Sequence, residues 1–62
     1  MELPDGFPAP ARRALDTAGY TTLDDLTGVT GAQLLRLHGF GPKALRLLRE
    51  ELAARGLDLA GQ

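Results

Sequence analysis

Residues 33–49 read Q-L-L-R-L-H-G-F-G-P-K-A-L-R-L-L-R, two apolar helical patterns joined by a very tight turn. Leu34, Leu35 and Leu37 belong to a short helix expected to stop at Gly39, because glycine accepts the left-handed conformation that often follows a last helical turn. Gly41 then lets the chain reverse. Pro42 has no amide proton to lose and a φ suited to a first helical position, so a second helix is expected from about Pro42 to Ala54. That helix carries Leu45, Leu48 and Leu52 inward, and Phe40 fills the crevice between the two helices. At about 100° per residue the leucines occupy one arc and Lys43, Arg46 and Arg49 a neighbouring one.

The start of the second helix offers unpaired backbone N–H groups and the positive end of the helix dipole, which together attract an anion. Phosphate is the natural guest. The glycines carry no Cβ to hold a nucleic-acid backbone away, and the three cations at three-residue spacing share one side of the helix.

These residues, His38-Gly39-Phe40-Gly41 followed by Lys43, resemble the helix-hairpin-helix modules, whose hairpin is typically apolar-Gly-apolar-Gly followed by a basic residue. His38 stands where that pattern has an apolar residue. The resemblance implies that the hairpin binds DNA phosphates through backbone amides without reading bases, with Gly39, Gly41 and Lys43 in that role.

The 62 residues make one domain, at a size where only about 60% of the unfolded surface is buried on folding. With no cysteine there is neither a disulfide staple nor a thiolate metal site, so stability must come from leucine packing between helices. No run approaches the roughly 18 apolar residues of a membrane span, and the first residues lack the basic and apolar regions of a leader. A soluble, cytoplasmic protein with no membrane partner is expected.

A net charge of −1 opposes tight nucleic-acid binding, for which a clearly basic domain is expected. The charge is uneven, though. Residues 1–31 hold two cations and five anions, residues 32–62 five cations and three anions, and residues 33–49 four cations and no acid. A local basic surface on a neutral body suits weak, salt-sensitive phosphate binding.

Along the chain, Pro4, Gly6 and Pro8 mark residues 1–8 as an irregular arm, with Leu3 or Phe7 against the body. Pro10 opens a helix that ends at Gly19 and buries Ala11, Ala14, Leu15 and Ala18, leaving Arg12 and Arg13 outward. Tyr20 is expected in the core with its hydroxyl toward solvent. Thr22 with Asp25, and Thr30 with Gln33, have capping-box spacing; they start a brief turn of helix through Leu26 and the first hairpin helix. Asp24 and Asp25 read as partners of a helix dipole, since adjacent carboxylates diverge and no third ligand accompanies them. Gly56 ends the last helix, Leu57 and Leu59 fold back on the core, and residues 60–62 fray.

This order of elements is similar to the C-terminal domain of the bacterial RNA polymerase alpha subunit, over roughly Phe7 to Leu59. The resemblance implies an all-α, SAM-domain-like bundle of four to five short helices containing the hairpin, and a tie to transcription. In that family an arginine leading into the first helix enters the DNA minor groove, and Pro10 stands at the matching position. An asparagine one turn later corresponds to Arg13. The small hydroxyl residue and the acidic residue that follow the hairpin lysine correspond to Ala44 and Leu47. Of the DNA-facing set, Gly41 and Lys43 are retained.

The DNA-contacting set expected from residues and resemblance together is Arg13, Gly39, Phe40, Gly41, Lys43, Ala44, Arg46 and Arg49. An enzyme is not expected. His38 is the one histidine and has no sequence partner forming an acid–base pair or an activated nucleophile, so it reads as a helix-end capping or dipole partner. No cofactor, metal or small-molecule substrate is implied. The competing reading is a protein-interaction module of the same helical architecture, with Leu47 on its surface if that side chain is exposed.

Overall fold

The computed structural model describes residues 3–61, which form α1 (Ala9–Thr17), a 3-10 helix (Leu23–Gly28), α2 (Gly31–Leu35) and α3 (Pro42–Ala54). No strand occurs among the described residues. The Cα radius of gyration, 10.1 Å, is close to the roughly 10.6 Å of a folded domain of this length, so these short helices close on one core.

Local chemistry sets each boundary. Pro8 caps α1 and Pro10 takes its second position, and the first helical bond runs from the Arg12 amide to the Pro8 carbonyl at 3.1 Å. Ala11, Ala14 and Leu15, spaced along one helical stripe, are buried. Ala18, expected with them, is exposed: it is the C-cap, where the chain has already left the helix to let the Tyr20 amide return to the Leu15 carbonyl at 3.0 Å. The same closure ends α3, where the Leu57 amide reaches the Leu52 carbonyl at 2.8 Å.

The two capping boxes form as their spacing requires. Asp25 donates its amide to Thr22 Oγ1 at 3.3 Å and accepts the Thr22 amide on Oδ2 at 3.1 Å. Gln33 and Thr30 exchange the equivalent bonds at 3.1 and 2.9 Å. Behind the first box, Leu23 and Leu26 lie three residues apart, the repeat that stacks side chains on a 3-10 helix, and both are buried.

The first hairpin helix is shorter than its sequence pattern. α2 stops at Leu35, not at Gly39, because the next amides tighten to three-residue bonds: Arg36 to the Gln33 carbonyl at 3.3 Å and Leu37 to that of Leu34 at 3.0 Å. Leu35 consequently points outward, 44% exposed, while Leu34 is fully buried.

On α3 the buried stripe is Ala44, Leu48 and Leu52, turned slightly from the Leu45–Leu48–Leu52 arc expected. Leu45 and Leu47 are half-buried on either side, so Leu47 does not provide the exposed apolar surface of an interaction module. α2 packs on α3, and Leu15, Leu26, Leu34, Leu48 and Leu52 are the largest side chains removed fully from water. Burying each leucine contributes about 1.5–3 kcal/mol relative to exposure. Phe7 from the arm joins them, its ring 6.3 Å from that of Phe40. Tyr20 and Leu3 are half-buried. At the other end Leu59 is buried and the Ala60 amide donates to the Val29 carbonyl at 2.9 Å, so residue 60 is tied down where fraying was expected; residues 1, 2 and 62 lie outside the described range.

The Asp25 carboxylate is held below its ordinary value of 3.8, first by the Thr21 amide and then by that of Thr22. A carboxyl whose native value is depressed binds fewer protons folded than unfolded, so its contribution is complete above about pH 4 and is lost as pH falls through the native value. Asp25→Asn should lower stability at neutral pH and flatten the acid limb of a urea-denaturation series. An unchanged acid limb would contradict this role.

Candidate nucleic-acid interface

The hairpin, residues 36–42, is defined by how Gly39 meets the start of α1. Its φ is 91°, and a Cβ built on it would lie 3.1 Å from the Pro10 carbonyl oxygen and 3.3 Å from Pro10 Cβ. Both conformation and close approach therefore require glycine here. Once Gly39 lies against Pro10, Phe40 turns inward to the core at 5% exposure and its amide closes on the Leu37 carbonyl at 3.1 Å.

Gly41 has a different character from the one its sequence context suggested. It is the N-cap of α3 with φ −118° and ψ 179°, an extended conformation open to any residue, and a Cβ there would meet nothing within 4 Å. No positive φ is required, so even a β-branched residue at this position would not strain the turn, and the chain reversal expected of Gly41 does not depend on glycine's freedom. What its bareness provides is access. Gly41 has no side chain to cap the helix, Pro42 has no N–H, and the first helical bond of α3 is from the Leu45 amide to the Gly41 carbonyl at 3.0 Å. The amides of Gly39, Gly41, Lys43 and Ala44 donate to no acceptor among the described residues. Thr22 and Thr30, by contrast, satisfy the first-turn amides of their own helices with hydroxyls.

Apart from the two glycines, the expected contact residues divide into four groups. Phe40 and Ala44 are buried, 5% and 2% exposed, so neither offers a side chain and little of either residue is open to a ligand. Lys43 is exposed beside the open amides. Arg46 and Arg49 are exposed one and two turns further along, lining a groove with Leu45, Leu57, Glu50 and Asp58. The acids in that groove dilute the basic surface that the sequence between Gln33 and Arg49 suggested. Arg13 lines a separate cleft, with His38 and Gly39.

The cations are available. Among the described residues Arg12, Arg13, Arg36, Lys43, Arg46 and Arg49 form no ion pair, whereas Arg55 holds Glu51 at 2.9 Å. Also among these residues, no group of three or more His, Cys, Asp or Glu is placed to hold a metal ion, and no helix is long and apolar enough to cross a membrane. The sharing of one cleft by Arg13 and His38, 25 residues apart, had no signal in linear spacing; it follows from the Gly39–Pro10 contact. What the fold and this site define is a class: an all-α domain with an uncapped helix N-terminus flanked by unpaired cations. Comparison with protein-family models, curated proteins and solved structures finds no match to the chain.

The two hairpin glycines should respond oppositely to alanine. Gly39→Ala forces a side chain into the left-handed region and against Pro10, and should cost more than about 1 kcal/mol in urea denaturation. Gly41→Ala should stay within about 0.5 kcal/mol of the parent. Equal losses at both positions would contradict the assignment.

Proposed function

We propose that this chain is a non-enzymatic module that binds the phosphate backbone of DNA without reading its bases, and that α2, the turn and α3 constitute a helix-hairpin-helix motif of the SAM-domain-like kind. The observation that carries the reading is the open N-terminus of α3: backbone amides without acceptors, an N-cap whose Cβ direction is empty, and Lys43 exposed and unpaired beside them. A phosphate oxygen is a strong acceptor for such amides, and the helix dipole adds to the attraction.

Lys43 supplies charge at the same phosphate, and Arg46 and Arg49 reach neighbouring ones along the strand. The acids in the Arg46–Arg49 groove make those two contacts looser than the first. Phosphate contacts position a protein, whereas base-edge contacts specify a sequence. With Pro10 at the position of the family's groove-entering arginine, A/T-rich and G/C-rich duplexes are bound alike. In line with the resemblance to the polymerase alpha domain, we read this activity as cytoplasmic and tied to transcription. The competing occupant is a protein partner, favoured by the exposed Leu35.

The test is an anisotropy titration of a short labelled duplex over a series of salt concentrations. Sequence-independent binding falls near about 10⁻⁴ to 10⁻⁶ M, and two to four neutralised phosphates give a log–log salt slope of roughly −2 to −4. Lys43→Glu should weaken binding and flatten the slope by about 1 or more without changing the melting temperature. Gly41→Val should weaken binding while the protein stays folded. Absence of binding at high duplex concentration, or affinity indifferent to salt and to Lys43, would point to a protein partner instead.

A further inference from the structure

The cleft between α1 and the hairpin, about 460 Å³, is lined from α1 by Pro10, Arg13 and Thr17 and from the hairpin by Leu37, His38 and Gly39. Among the described residues, no carboxylate lines it. Arg13 and His38 are both exposed, neither has an ion-pair partner among the described residues, and the Gly39 amide is without an acceptor. Two nitrogen-rich side chains thus meet in one recess from different elements, next to a backbone donor. We infer that this cleft is a second phosphate subsite for the same DNA, and that His38 couples its occupancy to pH. The inference rests on the DNA-binding reading and extends it to a residue outside the hairpin glycines and Lys43.

The coupling follows from the groups that face the imidazole. A neutral imidazole offers one N–H donor and one acceptor; the protonated ring offers two donors and a positive charge. Arg13 is the charged group that shares the cleft with the imidazole, and no acid among the described residues lines it. A phosphodiester entering the cleft favours the protonated ring, since its single negative charge attracts both cations and it accepts the added N–H. Proton and phosphate therefore bind cooperatively, and the coupling is reciprocal: phosphate raises the protonation midpoint of His38 as much as protonation raises phosphate affinity. The sign is fixed. DNA affinity rises as pH falls.

The experiment measures short-duplex affinity at about pH 8 and about pH 5.5, the range over which imidazoles change charge, for the parent, His38→Gln and His38→Lys. The parent should gain roughly tenfold at the lower pH. Its salt slope should steepen by about 0.9 at the lower pH, as one more phosphate is neutralised. His38→Gln should show the parent's high-pH affinity at both values, and His38→Lys a tighter affinity at both. Arg13→Gln should lose more affinity at low pH than at high pH. The His38 ring signals, followed by NMR with and without duplex, should titrate at higher pH when DNA is present. Binding that is unchanged by pH, or a gain that persists in His38→Gln, overturns this inference and leaves the hairpin reading intact. Absence of binding at either pH overturns both.

Discussion

The contact on which this small domain depends is the packing of Gly39 against Pro10. It joins the first turn of α1 to the hairpin at a distance that would crowd any side chain, a Cβ there lying 3.1 Å from the Pro10 carbonyl oxygen. Everything around it is oriented by that approach. Phe40 is turned inward toward Phe7, α3 starts immediately after, and the amides at its start are left without acceptors among the described residues. The core is too small to stabilise the fold by bulk, and it uses fully buried leucines on every side of this junction. One glycine thus serves packing, and its neighbour two residues on, under no conformational demand, serves access.

A second physical contrast separates the helix starts. The 3-10 helix and α2 begin with capping boxes in which Thr22 and Thr30 occupy the first-turn amides. α3 begins with a glycine and a proline and occupies none of them with a side chain. Hydrogen-bonding capacity left open at the start of a thirteen-residue helix, beside an exposed lysine with no ion pair among the described residues, makes the hairpin backbone anion-receptive; α1 also starts without a side-chain cap. The near-neutral net charge keeps the attraction local, so affinity depends on the few phosphates in reach and on ionic strength.

Much of this architecture is legible in the sequence because its signals are local. Thr22 with Asp25, Thr30 with Gln33, Pro42 at a helix start and Gly56 after its end each act within a few residues, and each boundary falls where its chemistry requires. Features set by tertiary contact were not legible. Periodicity alone does not tell Ala44 from Leu45 as the centre of the buried stripe, nor show that α2 tightens after Leu35. The pattern Gly-Phe-Gly assigns both glycines the same freedom, but only Gly39 needs it, because only Gly39 meets α1. Likewise the run of cations from Lys43 to Arg49 has no acid in sequence, yet the fold brings Glu50 and Asp58 to the Arg46–Arg49 groove and places Arg13 with His38.

The central claim, that DNA phosphate is held by open backbone amides, is tested most directly by NMR titration of the protein with a short duplex, following the amides individually. The account predicts that Gly39, Gly41, Lys43 and Ala44 shift progressively with added duplex, while the capped amides of Asp25 and Gln33 remain in place. Stationary hairpin amides, with shifts confined to the arginine side chains or to residues around Leu35, would contradict it.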